Sequence, residues 1–292
     1  MIPTIGVYLM IKTQSLMPDI LSIVLDKGTE IPGSGEYCNS DDIGTYLCRK
    51  CGIALFRSSN KFISSCGWPS FDDELAGKVL RKLDQDGKRT EILCDRCHAH
   101  LGHIFIGEQQ TTKNNRYCVN SLSIDFVKNK STYDTNEIFL AGGCFWGVEY
   151  HLKKHVGVLK VESGYMGGDK KHPTYDEVCY GNTGYLECVR VIYDCNVDLE
   201  TILKLFFNIH DPTQVDGQGG DIGEQYKSAI FYYEKYQKAL SIKLLNSLID
   251  GGLKIATRVE KASIFWPAED YHQNYYSKNN GKPYCHNYVQ RL

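Results

Sequence analysis

The chain has 292 residues, of which 42% are hydrophobic and 23% charged, with a formal net charge of −2. That length suits two domain-sized cores. The charge balance supplies no basic field for nucleic acid, and no apolar run approaches the roughly 18 residues that span a bilayer.

Residues 1–16 lack a basic start and a small-residue cleavage site, so they do not read as a signal peptide. We expect a flexible lead there, with Met17 as a candidate second start. "MPDILSIVLDKG" then reads as a helix. From about Gly28 to Val127 short β runs follow: "GTYLC", "ALFRSS", "KVLRKL", "TEILC", "GHIFIG" and "SLSIDFV". Asp86-Gly87 is a hairpin turn signal. This half is expected to be a mostly antiparallel β domain over 17–127. The polar stretch 128–136 is the expected linker. The second domain, 137–292, changes period. "EIFLAGG", "VLKVESGY", "LECVRVIYD", "SAIFYY" and "KIATRVE" read as strands. "CFWGVEYHLKKHV", "DLETILKLFFNIH" and "EKYQKALSIKLLNSLIDGG" read as helices, the second of them capped by Asp198. The first six elements run β-α-β-β-α-β, which predicts an α/β two-layer sandwich of the ferredoxin-like split kind. No internal repeat relates the halves.

Twelve cysteines are more than a chain of this length needs for stability. Two C-x2-C pairs, Cys48/Cys51 and Cys94/Cys97, have the bite and number for a closed tetrahedral zinc site. The alternatives are redox dithiols or inert cysteines. Thiols with jobs favour a reducing compartment, expected to be the cytoplasm. Cys118 lies in a strand beside Arg116 and near Asn120. His100 and His103 are three apart, and Trp68 follows Cys66 by two. A cation near a thiol favours thiolate, and imidazoles can move a proton to a leaving oxygen. Taken singly, the histidines also fit polar core residues or extra metal ligands, and Trp68 fits plain packing. Cys144, in "GGCFWGVE", opens a helix after two glycines. Helix N–H groups favour thiolate there, and Phe145 and Trp146 can wall a methyl-sized space. An ordinary buried helix start fits that stretch equally well.

"TYLCRKCG", "CGWPSFDDE", "RTEILCDRCHAHLGHIF" and "RYCVNSLSIDF", in that order, closely resemble methionine sulfoxide reductase B across about 28–127. The resemblance implies Cys118 as nucleophile and Cys66 as resolving thiol. It also implies His100, His103 and Asn120 on the sulfoxide oxygen, Trp68 on the methyl, and zinc on the four C-x2-C thiols. Arg116 is placed near the site as a substrate-binding residue, the alternative being that it simply biases Cys118 toward thiolate. "GCFWGVE", "HPTYDEV", "GNTGYLECVRVIYD", "HDPTQVDGQGGDIGEQYKSAIFY" and "AEDYHQNYYSKN" resemble methionine sulfoxide reductase A over 137–292. That resemblance implies Cys144 as nucleophile, with Tyr175, Glu187, Asp221 and Tyr226 around the oxygen. Phe145 and Trp146 form the methyl pocket, and Cys285 in "GKPYCHNYVQRL" is the resolving thiol. Many relatives carry a further cysteine beyond that position, which this chain lacks. Cys38 stays unassigned, and Cys179, Cys188 and Cys195 read as core or edge thiols in or near strands.

Sulfoxide sulfur is chiral, so repair of both epimers needs two pockets. The fusion implies one for R in the first half and one for S in the second. Substrates are then free or protein-bound methionine sulfoxide, and a dithiol such as thioredoxin restores the enzyme. No organic cofactor, nucleic acid or membrane enters this reading. The rival is a zinc-ribbon binding module fused to a general thiol–disulfide oxidoreductase. It wants basic, aromatic-rich strands around the metal and a C-x-x-C at a helix start. Cys144 has no partner at that spacing.

Overall fold

The structure, a computed structural model, describes residues 16–84 and 87–292. The expected lead lies outside these except for Leu16, which is buried rather than loose. Asp86 of the expected hairpin turn also lies outside. The chain divides into two compact units between Thr135 and Asn136. No helix among the described residues is long and apolar enough to cross a membrane.

In the first unit, α1 (Pro18–Val24) begins with a proline at its first turn, where a missing N–H costs nothing, and buries Ile20, Ile23 and Val24. Nine strands follow: β1 (Gly44–Cys48), β2 (Ala54–Arg57), β3 (Lys61–Phe62), β4 (Ser70–Phe71), β5 (Val79–Leu83), β6 (Thr90–Cys94), β7 (His100–Ile106), β8 (Asn115–Val119) and β9 (Ile124–Lys128). They form two sheets, ordered β2-β1-β9 and β3-β4-β8-β7-β6-β5. An aromatic cluster joins them. Phe56 of β2 stacks on Phe71 of β4 at 4.5 Å, Tyr46 of β1 meets Phe71 edge-on at 4.9 Å, and Tyr117 of β8 closes on Phe56 at 5.7 Å. All four rings are essentially inaccessible and belong to the unit's hydrophobic core.

Register then fixes chemistry. Cys118 pairs with Ser70 on one side and His103 on the other, and His103 pairs with Glu91 of β6. Residues three apart in a strand normally face opposite ways. Here β6–β7 pairing slips between Ile92/Gly102 and Leu93/His100. Leu101 is the extra residue, and this bulge brings His100 and His103 to one face, ring centroids 5.6 Å apart.

The second unit contains β10 (Thr135–Gly142), α2 (Phe145–Leu152), β11 (Val158–Met166), α3 (Tyr175–Tyr180), β12 (Leu186–Asp194) and α4 (Leu199–Ile209). After them come β13 (Gly217–Gln218), β14 (Asp221–Ile222), β15 (Ser228–Tyr232), α5 (Lys235–Asp250), β16 (Arg258–Lys261), β17 (Trp266–Pro267) and α6 (Tyr275–Lys278). The main sheet runs β16-β15-β10-β12-β11-β17. It is mixed, since β16 runs parallel to β15 while β10–β15 and β11–β12 are antiparallel. Central β12 is buried along nearly its whole length. α2 packs on β11, β12 and α4, while α5 lies on β15 and β16. Asp198 accepts from the Glu200 amide and caps α4.

Two readings of the sequence change. "KIATRVE" is a strand only over Arg258–Lys261, where it pairs with β15; before it the Ala256 and Thr257 amides turn to the Pro212 carbonyl instead. "TYDEVC" forms α3, started by a Thr174/Glu177 capping box.

The bulge needs Gly102, which takes φ +147°, and a Cβ there would lie 2.0 Å from the Cys118 carbonyl oxygen. Gly102→Ala should destabilise the first unit by about 1–3 kcal/mol from backbone strain alone. Thermal unfolding checks this, and an unchanged first-unit transition would contradict the register.

Candidate active sites

In the first unit Cys66 and Cys118 bring their sulfurs to 3.7 Å. Ser64 lies 2.9 Å and Ser70 3.4 Å from Cys66 Sγ. The pair divides unequally. Burial and the neighbouring Cys66 push the Cys118 thiol up to about 12, while Arg116 pulls it down. Burial also raises Cys66, but hydrogen bonds from Ser64 and Ser70 outweigh it, and its thiol falls below the ordinary value. Of the two thiols, Cys66 is therefore the more acidic and Cys118 the less acidic. Arg116 is half committed: its Nε and one terminal nitrogen grip Glu108 at 2.6 and 2.8 Å, and it lies 4.3 Å over the Phe105 ring.

Both histidines have carboxylate partners that the sequence did not reveal. His100 Nδ1 is 2.7 Å from Glu91, and His103 Nε2 is 2.9 Å from Asp84. Burial keeps His100 below the usual imidazole range. Its Nε2 is buried with no partner among the described residues. Trp68, His103, Cys118 and Asn120 line one cavity of about 130 Å³. A single residue, Glu30, sets two of these walls. Its carbonyl accepts from Trp68 Nε1 (3.2 Å), its amide donates to Asn120 Oδ1 (3.2 Å), and its carboxylate accepts from the Ser121 and Leu122 amides.

Away from this cavity, the sulfurs of Cys48, Cys51, Cys94 and Cys97 lie within 4.8 Å of one another, with Cys48–Cys97 and Cys51–Cys94 both at 3.6 Å. A tetrahedron of thiolates about 2.3 Å from a metal has edges near 3.8 Å. The cluster can hold a metal, and its donors are of the type zinc prefers.

In the second unit Cys144 caps α2. The neighbouring Cys285 and burial push the Cys144 thiol upward; the Trp146 amide at the helix start works against them. The helix start alone therefore does not make a resting thiolate, contrary to the expectation from sequence. Glu187 of β12 is 1% exposed and accepts from the Phe145 amide at 3.0 Å. Burial first, and Cys144 second, hold its carboxyl well above the usual range. Tyr175 and Tyr226 are also raised by burial, with Glu187 adding to both. Asp221 accepts from the Tyr284 hydroxyl at 2.9 and 3.2 Å. Phe145 is fully packed, whereas Trp146 is half-buried, stacks on Tyr275 at 3.6 Å, and donates from Nε1 to His272 Nδ1 at 3.1 Å.

Several neighbours went unnoticed in the sequence. Glu269 accepts from the Tyr175 amide and the Tyr165 hydroxyl, tying α3 to the site. Cys179 is not a strand thiol: it lies on α3, interacting with Tyr175 and Glu187. Cys188 is buried in β12, and Cys195 is exposed.

Two unlike folds, each pressing a pair of thiols together inside a shell of proton donors and acceptors, define a two-site thiol oxidoreductase. Residues 136–292 match the family described as peptide methionine sulfoxide reductase, and residues 16–128 match the SelR domain. The chain belongs to the peptide methionine sulfoxide reductase family, with a SelR (methionine sulfoxide reductase B) domain fused in front. The peptide methionine sulfoxide reductase MsrA of Ruthia magnifica subsp. Calyptogena magnifica is 45% identical over 148 residues, covering 50% of this chain and 89% of that protein. The MsrA of Nautilia profundicola is 46% identical over 145 residues, covering 49% and 84%. Among solved structures, reduced Mxr1 from Saccharomyces cerevisiae superposes with a TM-score of 0.50 at 34% identity, covering 54% of this chain and 93% of that one.

The Glu187 shift has a direct readout. A raised carboxyl stays protonated below its folded pKa and ionises only as pH climbs through it. At about pH 6 an ordinary glutamate, pKa about 4.3, is ionised. Glu149, raised by burial to about 7, also stays protonated there, so the infrared signal of protonated carboxyl at pH 6 should lose the Glu187 component in Glu187→Gln and keep the Glu149 one. An unchanged signal in that variant would contradict a protonated Glu187.

Proposed function

We propose that the chain repairs methionine sulfoxide at two independent thiol sites, the R epimer at Cys118 in the first unit and the S epimer at Cys144 in the second. The observation that carries this is the pairing of thiols, Cys66 with Cys118 and Cys144 with Cys285, once in each unit.

In the first unit Cys118 attacks sulfoxide sulfur as thiolate, its proton passing to the sulfoxide oxygen, and the neighbouring Arg116 favours that ionisation. His100, whose Nε2 is unengaged, together with His103 and Asn120 binds the oxygen and supplies protons as the S–O bond breaks. Trp68 shapes the methyl pocket, and Arg116 steadies charge on sulfur. Methionine leaves and Cys118 is left as sulfenic acid. Cys66 then condenses with it to a disulfide, releasing water. In the second unit the neutral Glu187 donates to the oxygen while Cys144 attacks. The hydroxyls of Tyr175 and Tyr226 hold that oxygen, Asp221 completes the polar ring, and Phe145 and Trp146 form the apolar wall. Cys285 forms the disulfide. A dithiol protein of the thioredoxin class then reduces each disulfide by thiolate exchange.

The substrates are oxidised proteins and free methionine sulfoxide. The four C-x2-C cysteines hold structural zinc, which contributes to folding and leaves no position open for substrate. The domains run 17–127 and 137–292, joined by 128–136. The second is an α/β two-layer sandwich of the ferredoxin-like kind: with β10, β11, β12 and β15 as strands 1 to 4, the sheet order 4-1-3-2 supports it. Thiols that must return to the reduced state fit a reducing compartment such as the cytoplasm.

Two predictions follow from the separation of sites and metal. Cys144→Ser should abolish S-epimer turnover and spare the R epimer, and Cys118→Ser should do the reverse, measured with resolved epimers. Loss of both activities in either variant would refute independent sites. Cys94→Ser should release about one zinc per chain and unfold the first unit with its activity, while S-epimer turnover persists. A zinc-free wild-type preparation with full R-epimer activity would contradict a structural metal.

A further inference from the structure

His286 follows Cys285 and is 2% exposed. Its two ring nitrogens have different partners. Nε2 lies 2.7 Å from the carbonyl oxygen of Gly142, at the end of β10, and Nδ1 lies 3.1 Å from the Cys285 sulfur. A carbonyl can only accept, so Nε2 carries the proton. In a neutral imidazole Nδ1 is then a lone pair, and the Cys285 S–H must donate to it.

The surroundings favour that neutral form. Burial lowers the His286 pKa, while the Gly142 carbonyl and Asp221 act in the opposite direction. The titratable groups facing it are Cys285, Asp221, His151 and His210. His210 is itself held neutral by burial, at about 3, and burial also lowers His151. The helix makes room for the ring. A Cβ at residue 147 would sit 2.1 Å from His286 Nδ1, so Gly147 of α2 leaves a side-chain-free slot in which the imidazole lies beside the first turn that Cys144 caps.

We propose that His286 is the general base of the second half-reaction, removing the proton from Cys285 as that thiol attacks the sulfenic acid on Cys144. The inference rests on the reading of Cys285 as the resolving thiol. The S–H proton passes to Nδ1, and the freed sulfur pair forms the S–S bond to Cys144. The S–O bond of the sulfenic acid breaks, and the departing hydroxide takes the proton from Nδ1 to leave as water. Cys285 sulfur is oxidised and the sulfenic sulfur reduced to the disulfide level, with His286 returned to its starting form. An attacking thiol without a base reacts only as its thiolate fraction. A fixed base removes that dependence.

The test is rapid-quench kinetics on the full chain, given one equivalent of the S epimer without reductant. Methionine release reports the first step, and alkylation with mass analysis reports the Cys144–Cys285 disulfide. In the native protein disulfide formation should be independent of pH through neutrality. His286→Gln keeps a side-chain amide positioned to donate to Gly142 but loses the base. Its disulfide step should slow by about 10²-fold and rise about tenfold per pH unit, as thiolate chemistry does. Equal rates with equal pH profiles in the two proteins would overturn the proposal. A tenfold-per-unit rise in the native protein would also overturn it, whether or not the variant folds. A variant that loses methionine release as well would remove His286 from the second step. If no Cys144–Cys285 disulfide forms in the native protein, the resolving-thiol reading fails instead, which is a distinguishable result.

Discussion

A thiol that is to end in a disulfide must be held almost at bonding distance from another thiol without reacting prematurely. In the first unit that gap is 3.7 Å, against about 2.05 Å for the bond itself. The rest of the architecture serves this approach. The ladder β4-β8-β7 sets Cys118 between Ser70 and His103. In the second unit Cys144 sits at the first turn of α2, and the tail after Cys285 is pinned by the Val289 and Arg291 amides to Asn208 of α4.

Burial gives both sites the same electrostatic problem, and the folds solve it differently. Desolvation disfavours thiolate. In the first unit two serine hydroxyls lower the Cys66 thiol, and the proposed proton source is His100, an imidazole that burial lowers beside the Glu91 carboxylate. In the second, desolvation raises the Glu187 carboxyl as well, which suits the donor role proposed for it, while His286 faces the second thiol. A sheet face bearing imidazoles and a helix start facing a buried acid surround their thiols with unlike groups, as discrimination between mirror-related sulfoxides requires.

Much of this was legible in the sequence because it is local. The C-x2-C spacing is local, and so are the Asp198 cap and the Gly-Gly-Cys junction; the expected β-α-β-β-α-β order missed α3, which stands between β11 and β12. What stayed hidden depends on register or on contacts across the fold. The bulge at Leu101 turns an i, i+3 histidine pair onto one face, and no periodicity announces it. Glu91, Asp84 and Glu30 look like ordinary surface carboxylates until β6 and the segment before β1 are folded against the site. Cys179 was misplaced because the Thr174–Glu177 capping box, a readable signal, was passed over. His286 reads as a tail residue, and only the slot at Gly147 shows where its ring goes.

The central claim is that one chain carries two complete and separate reaction centres. The most direct measurement is the amount of methionine released by fully reduced protein given both epimers in excess and no reductant, with disulfides mapped afterwards. The account predicts about two methionines per chain, one from each epimer, with one disulfide in each unit. Release of only about one per chain, or a disulfide that links the two units, would contradict it.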